Sequence, residues 1–566
     1  MLFRSAGFVP GTHQAGQRQV GGAVGDYALS DVLGTAIEVG QATVADLGLA
    51  MVEVDTPEVT AAQHAASDHA YLVPHTKDVS RAPKQFVDFQ LDVTAADLHV
   101  ATREGFESIE HIKRYTALGF GTDQGKLSNV NGAAIAAAAQ GKTIAELGTT
   151  MFRPNYTPVA FGAVAGRHAG SLFDPIRYTA IQSWHEAREA EFEDVGQWKR
   201  PWYFPRQGES MQEAVSRECL AVRNGLGILD ASTLGKIDIQ GPDAREFLNR
   251  IYTNAWLKLP VGQCRYGIMC GEDGMVIDDG VTAALGENHF LMHTTTGGAA
   301  RILEWLELWH QTEWPELRVY FNSVTDHWVT ASISGPSARQ MLNELTDLPL
   351  SDKDFPFMHW RTAEVAGIPA RIFRVSFTGE LTYEINVQAG FGLQLWEVLM
   401  DAGEKYNITP FGTETMHVLR AEKGFIIVGQ DTDGSVTPED LGMGWALAMK
   451  KPFSFVGKRG MVRKDCLRED RKQLVGLLPE DPQVVLKEGS QLVVDPGAKA
   501  PVPMYGHVTS SYFSPSMQRG FALALVKGGR NLMGDTLYAS ELAGLHPVKI
   551  CEPVFYDKAG ERQHVE

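Results

Sequence analysis

The chain has no C-x-x-C pair. Its five cysteines, Cys219, Cys264, Cys270, Cys466 and Cys551, are odd in number and irregular in spacing. That excludes the usual frameworks for structural zinc and iron–sulfur clusters, so no metal is expected. Reduced thiols in a cytoplasmic compartment are the matching state. No apolar run is long enough to cross a bilayer. The N-terminal MLFRSAGFVPG lacks the apolar stretch of a signal peptide. Basic residues are outnumbered: 51 Lys and Arg face 69 Asp and Glu, a formal net charge of −18. An extended nucleic-acid surface needs the opposite balance, because cations must neutralise phosphates. A local basic pocket for an anion stays open. What is present is ordinary for globular protein, 44% hydrophobic and 21% charged over 566 residues, enough for several domains.

Residues 19–40 read QVGGAVGDYALSDVLGTAIEVG, a glycine-rich turn feeding a helix of small residues. Gly22, Gly25 and Asp26 are candidates for a phosphate or ribityl contact at the helix start. No complete G-x-G-x-x-G follows a strand, so a tight turn packed on a helix is the competing reading. As architecture, residues 1–50 look like the last strand–turn–helix of a dinucleotide-binding domain. Residues 51–85 lack periodicity and read as a linker. Residues 86–150 read as a small helical module: Thr94 and Ser108 are N-cap candidates, and NGAAIAAAAQG is helical by propensity. Its loop TDQGK offers the Thr122 hydroxyl and Lys126 ammonium to a phosphate, or is simply polar. Residues 151–205 carry prolines and aromatics without period and read as a wrapping linker.

From residue 206 the pattern sharpens. SMQEAVSRECLAVRNG is a helix stopped by glycine. IQGPDAREFL and ISGPSARQML share I-x-G-P-x-A-R and predict two related halves, each a strand, a Gly-Pro turn and a helix with Pro at N1. This region spans 206–460. Residues 461–566 hold short β runs split by turns and predict a compact barrel or sandwich.

Within 206–460, QCRYGIMCGEDGMVIDDGVTA reads as a hairpin with two adjacent carboxylates, Asp278 and Asp279. Aspartate is a poor strand former, so the pair is either a solvated strand end or aimed into a cleft. RIFRVSFTGELTYEINV reads as a second hairpin, with Glu380 and Glu384 on either side of Tyr383. TETMHVLRAEKGF is a helix carrying Arg420 and Glu422. One carboxylate can accept both donors of a pterin edge, and a second can take a proton as an amine attacks an imine. Exposed surface charges would look the same in sequence.

In this order, IQGPDAREFLNRIYTN, MVIDDGVTA, FTGELTYEI and LRAEKGF resemble the aminomethyltransferase family, the folate-binding T-protein of glycine cleavage. Upstream, FVDFQLDVTAADL, GFESIEHIKRYT, GTDQGKLSNVNG and GTTMFRPNYTPV resemble the alpha subunits of heterotetrameric sarcosine oxidases. The resemblance implies an α+β multidomain chain: a remnant of a dinucleotide-binding fold, the small helical module, a folate-binding domain and a C-terminal β-barrel. It implies tetrahydrofolate as acceptor of the methylene carbon of oxidised sarcosine, giving 5,10-methylenetetrahydrofolate, glycine and hydrogen peroxide. It implies beta, gamma and delta partner subunits, FAD in the beta subunit, and FMN at the alpha–beta interface. Arg114, Thr116, Thr122 and Lys126 are the candidates to face that FMN. NAD belongs to the family's complete N-terminal fold, and binding by this chain alone is not expected, since it starts near that fold's end. The resemblance makes Asp279 the catalytic carboxylate, with Asp278 the second choice. Tyr266, Glu380, Tyr383, Glu384 and Arg420 fall on its folate-binding segments, with the choice of pterin-binding glutamate open. The alternatives are a stand-alone folate-dependent aminomethyltransferase or demethylase, and a non-catalytic scaffold of the same fold.

Overall fold

A computed structural model describes residues 2–4, 7–11, 16–60, 70–154 and 156–564. The chain forms two compact units, Met1–Phe173 and Asp174–Glu566.

In the first unit, the antiparallel strands Leu2–Arg4 and Gly7–Val9 precede a single 3-10 turn, Gly21–Val24, and helix Leu29–Asp46. That helix has no buried residue. The next part is built on a real core. Thr94 caps helix Ala95–Arg103 through a reciprocal box with Asp97, whereas Ser108 makes no side-chain bond to helix Ile109–Thr116. Leu98, Ile112 and Leu118 pack against helix Asn129–Ala139, whose small residues permit close approach. Asp88 is buried there and accepts from the N–H groups of Gln90 and Gly119.

The second unit starts earlier than the sequence pattern predicts. Residues 174–205 include helix Gln182–Ala187 and the hairpin Glu191–Val195 with Trp198–Tyr203, so a linker without regular structure is corrected over this stretch. Ile181, Trp184 and Phe204 join the main core. Pro201 hid the second strand. It lies in a two-stranded ribbon, where a missing N–H is tolerated.

Two mostly antiparallel sheets follow. One orders Tyr320–Ser323, Gly235–Gln240, His289–Thr294, Val276–Gly286 and Cys264–Cys270. The other orders His359–Val365, Ile368–Arg374, Thr382–Gln388, Trp328–Ser334, Gly227–Asp230 and the short parallel strand Thr409–Pro410. The repeated motif occupies equivalent places: strand Gly235–Gln240 leads to helix Ala244–Ile251, and strand Trp328–Ser334 to helix Ala338–Leu342. Gly241 and Gly335 take φ of +138° and +129°, and a Cβ on either would strike a backbone carbonyl oxygen. Pro242 and Pro336 do not sit at N1. Each precedes the N-cap, Asp243 or Ser337, because a closed turn from the glycine comes first.

Helix Thr413–Glu422 joins the sheets to the C-terminal barrel, and Leu419 and Phe521 share one cluster at that junction. The barrel closes six strands in the order Lys472–Pro479, Arg519–Lys527, Gly506–Ser514, Gln491–Val493, Thr536–Glu541 and Gly544–Cys551. Closure removes the exposed edges that open sheets leave. Among the described residues, no helix is long and apolar enough to cross a membrane.

Candidate active site

The two aspartates part company because successive strand side chains point to opposite faces. Both lie on Val276–Gly286, opposite Met269 and Ile268 of the neighbouring strand. Asp278 is fully buried. Its Oδ1 accepts from the N–H groups of Asp279 at 2.9 Å and Thr295 at 3.3 Å. It lies against Gly298, the N-cap of helix Ala299–Thr312, where the helix dipole favours a negative charge. Burial nevertheless raises its pKa to about 6.

Asp279 faces the other way, into a cavity of about 890 Å³. The Tyr266 hydroxyl donates to its Oδ2 at 2.6 Å. Burial, helped by the neighbouring Asp278 charge and opposed by the Tyr266 bond, raises its pKa to about 7. The Tyr266 ring stands 6.0 Å from that of Trp445, another lining residue. Phe373, Val375, Phe377, Phe425 and Ile426 supply apolar wall.

Glu384 also lines this cavity. No protein group hydrogen-bonds its carboxylate among the described residues. Burial raises its pKa to about 7, while the Lys236 charge pulls the other way. Lys236 is buried, and its Nζ donates to the Ser232 and Leu234 carbonyls at 2.9 and 3.1 Å. His293 is the cross-strand partner of Lys236. Burial lowers its pKa to about 4, so it is neutral. Nδ1–H donates to the Val281 carbonyl at 2.9 Å, which leaves buried Nε2 an acceptor without a partner.

Three expected residues are not brought to the cavity. Glu380 is fully buried against Arg223 at 2.8 Å and Arg562 at 3.0 Å, and Arg223 also holds Glu422 at 2.6 Å. Glu380 directly follows the bend at Gly379, with φ of +83°, and lies before the strand Thr382–Gln388 that carries Glu384. Tyr383 alternates away from Glu384, and its hydroxyl meets Arg339 and the Leu350 carbonyl. Arg420 points toward the barrel, bonded to Asp431 and Ser510. Their placement corrects the expectation that these three line the ligand.

In the first unit, the proposed flavin contacts are already engaged. Arg114 pairs with Glu110, Thr116 donates to the Ile112 carbonyl, Thr122 accepts from Gln90, and Lys126 donates to the Tyr156 carbonyl over its ring. They do not form an open phosphate cradle. Gly22, Gly25 and Asp26 belong to a single turn beside an unburied helix, closed by the Asp26 N–H on the Gly21 carbonyl. They do not make a built nucleotide site. No group of three or more His, Cys, Asp or Glu among the described residues is placed to hold a metal.

The sequence reading missed Arg200, Lys236, His293 and His417, all but Lys236 lining the cavity. His293 sits in a strand buried on both faces, His289–Thr294, so no alternation marks it in the sequence. Arg200 was hidden inside a proline-rich segment.

Comparison with known proteins agrees with this architecture. Residues 181–451 match the GCVT N-terminal domain, 82–167 the sarcosine oxidase A3 domain, and 472–557 the glycine cleavage T-protein C-terminal barrel domain. The chain is 50% identical over 98% of its length to sarcosine oxidase subunit alpha of Corynebacterium sp. (strain P-1), covering 58% of that protein. It is 43% identical over 99% of its length to the Rhizobium meliloti (strain 1021) subunit, covering 57%. The chain thus spans less than two thirds of the length of these two relatives. The glycine cleavage system aminomethyltransferase T from Bartonella henselae shares the fold, with a TM-score of 0.59 at 24% identity, over 68% of this chain and 99% of that one.

Proposed function

From a chain that belongs to the sarcosine oxidase alpha-subunit family, with its larger part on the aminomethyltransferase fold, we propose a folate-dependent methylene transferase within a sarcosine-oxidising complex. The observation that carries this reading is Asp279, held by Tyr266 on the wall of a large, mostly apolar cavity. Tetrahydrofolate occupies that cavity. The pterin presents adjacent donors, N3–H and the 2-amino group, and Glu384 offers two unengaged acceptor oxygens. Neutral His293 adds a further acceptor at Nε2.

As the folate nitrogen attacks the imine carbon of oxidised sarcosine, positive charge grows on that nitrogen. Ionised Asp279 stabilises the charge and accepts the proton, and Tyr266 holds the carboxylate in place. A pKa near 7 suits a base that must gain and then release a proton. The proton is returned to the amino-acid nitrogen of the adduct as its bond to the methylene carbon breaks and the second folate nitrogen closes on that carbon, giving 5,10-methylenetetrahydrofolate and glycine. Oxidation of sarcosine, with dioxygen reduced to hydrogen peroxide, is supplied by flavin in the partner beta subunit, within a cytoplasmic assembly that also holds gamma and delta subunits. Asp278 supports a helix start and takes no part in the transfer.

The test is Asp279→Asn in the assembled complex, turning over sarcosine with tetrahydrofolate. Peroxide formation is expected to continue while the carbon leaves as formaldehyde and methylenetetrahydrofolate formation falls about 100-fold or more, the range for loss of a positioned base. Undiminished methylenetetrahydrofolate formation would refute the role.

A further inference from the structure

The cavity holds a cation that the folate reading leaves unused. Arg200 lies on strand Trp198–Tyr203 and lines the same cavity, with its side chain only 14% exposed. Its Nε is buried without a hydrogen-bond partner. Nη1 reaches the Thr296 hydroxyl at 3.5 Å, the outer limit of a bond. Glu193 Oε1 stands 3.6 Å from this Nε, an ion pair in which neither atom makes a hydrogen bond. Thr233 Oγ1 lies 3.1 Å from Thr296 Oγ1 and also lines the cavity.

A guanidinium is a planar fork of five donors that matches a carboxylate. Leaving a buried donor without a hydrogen bond and another at the limit of one is unfavourable, and an incoming anion on the fork relieves it. The fork's place is informative too. Thr296 reaches Arg200, and its neighbour Thr295 donates to Asp278, beside Asp279. The guanidinium is therefore tied to the segment that positions the aspartates. Of the other charged lining residues, Asp230, Asp279 and Glu384 are acidic and would repel an anion, while Arg265 is engaged by the Ala255 carbonyl.

We propose that Arg200, with Thr296 and Thr233, forms a carboxylate-binding subsite of this cavity. The proposal rests on the folate reading above for its two sources of carboxylate: the amino-acid fragment that delivers the methylene carbon and leaves as glycine, or the glutamyl tail of the folate.

The experiment titrates the full chain and Arg200→Gln calorimetrically with two matched pairs. Tetrahydrofolate is compared with tetrahydropteroate, which lacks the tail. Glycine is compared with methylamine, which lacks the carboxylate. In Arg200→Gln at least one carboxylate-bearing probe is expected to bind tenfold or more weaker, with its counterpart within twofold. Loss confined to glycine assigns the amino-acid fragment, and loss confined to tetrahydrofolate assigns the tail. Thr296→Val, a milder change, is expected to give the same pattern at about threefold. Unchanged affinities, or equal losses within a pair, would overturn the subsite. Wild-type chain that binds neither pterin refutes the folate reading instead. The glycine pair then decides the subsite alone, and no preference for glycine over methylamine would overturn it.

Discussion

Glu380 and Glu384 are four residues apart on one hairpin, yet they live in opposite electrostatic worlds. Glu380 is closed in by Arg223 and Arg562, within a network that also binds Glu422. Glu384 has an open cavity before it and no hydrogen bond from the protein. The first arrangement satisfies a buried charge from within, so it holds the fold together. The second leaves a buried carboxylate to be completed from outside, which is what a binding group requires. Burial alone does not separate them, since both carboxyl groups are pushed upward by desolvation. Pairing does.

The largest expected effect breaks the structural half of this comparison. Arg223→Met leaves Glu422 with an uncompensated buried charge and Glu380 with Arg562 alone, a change worth about 3–5 kcal/mol. Urea unfolding of the purified chain should report it, and a loss below about 1 kcal/mol would mean the network is not load-sharing in this way.

Next comes the pH dependence of transfer. Asp279 is raised from an ordinary carboxylate value to about 7 by burial. A base must be ionised, so methylenetetrahydrofolate formation should climb as pH rises through about 7. Stability runs oppositely: the folded state holds this proton more tightly than the unfolded chain, so Asp279 lowers stability progressively between the carboxylate range and pH 7. Asp279→Asn should flatten both profiles. A rate that is already maximal at pH 5 would contradict the raised pKa.

A smaller effect separates the adjacent aspartates. Asp278→Asn keeps an acceptor for the Thr295 N–H and loses only the charge at the start of helix Ala299–Thr312, a matter of about 0.3–1 kcal/mol. Transfer should stay within a few-fold of wild type. Loss equal to that of Asp279→Asn would erase the division of labour between the two.

The hairpins, the recurring strand–turn–helix units and the barrel were legible because they rest on local signals: alternation and glycine at Gly274 and Gly379. Asp279 and Tyr266 were legible by motif, and the strand register puts them in contact. The glutamate was not, because Glu380 lies outside the strand that carries Glu384 and is captured by Arg223 and Arg562, which are distant in sequence. Arg420 looked available on its helix, but its partner Asp431 and the barrel residue Ser510 are distant in sequence. Arg200 was unreadable because the proline beside it disguised the strand that carries it.

On the proposed function, the unpaired Glu384 carboxylate is the group that recognises the folate. The most direct measurement is calorimetric titration of tetrahydrofolate into Glu384→Gln and Glu380→Gln beside wild type. Loss of a charged hydrogen-bonding partner should weaken Glu384→Gln by about 1.5–3 kcal/mol, while Glu380→Gln binds as wild type once its folded state is verified. Weakened binding in folded Glu380→Gln with normal binding in Glu384→Gln would contradict it.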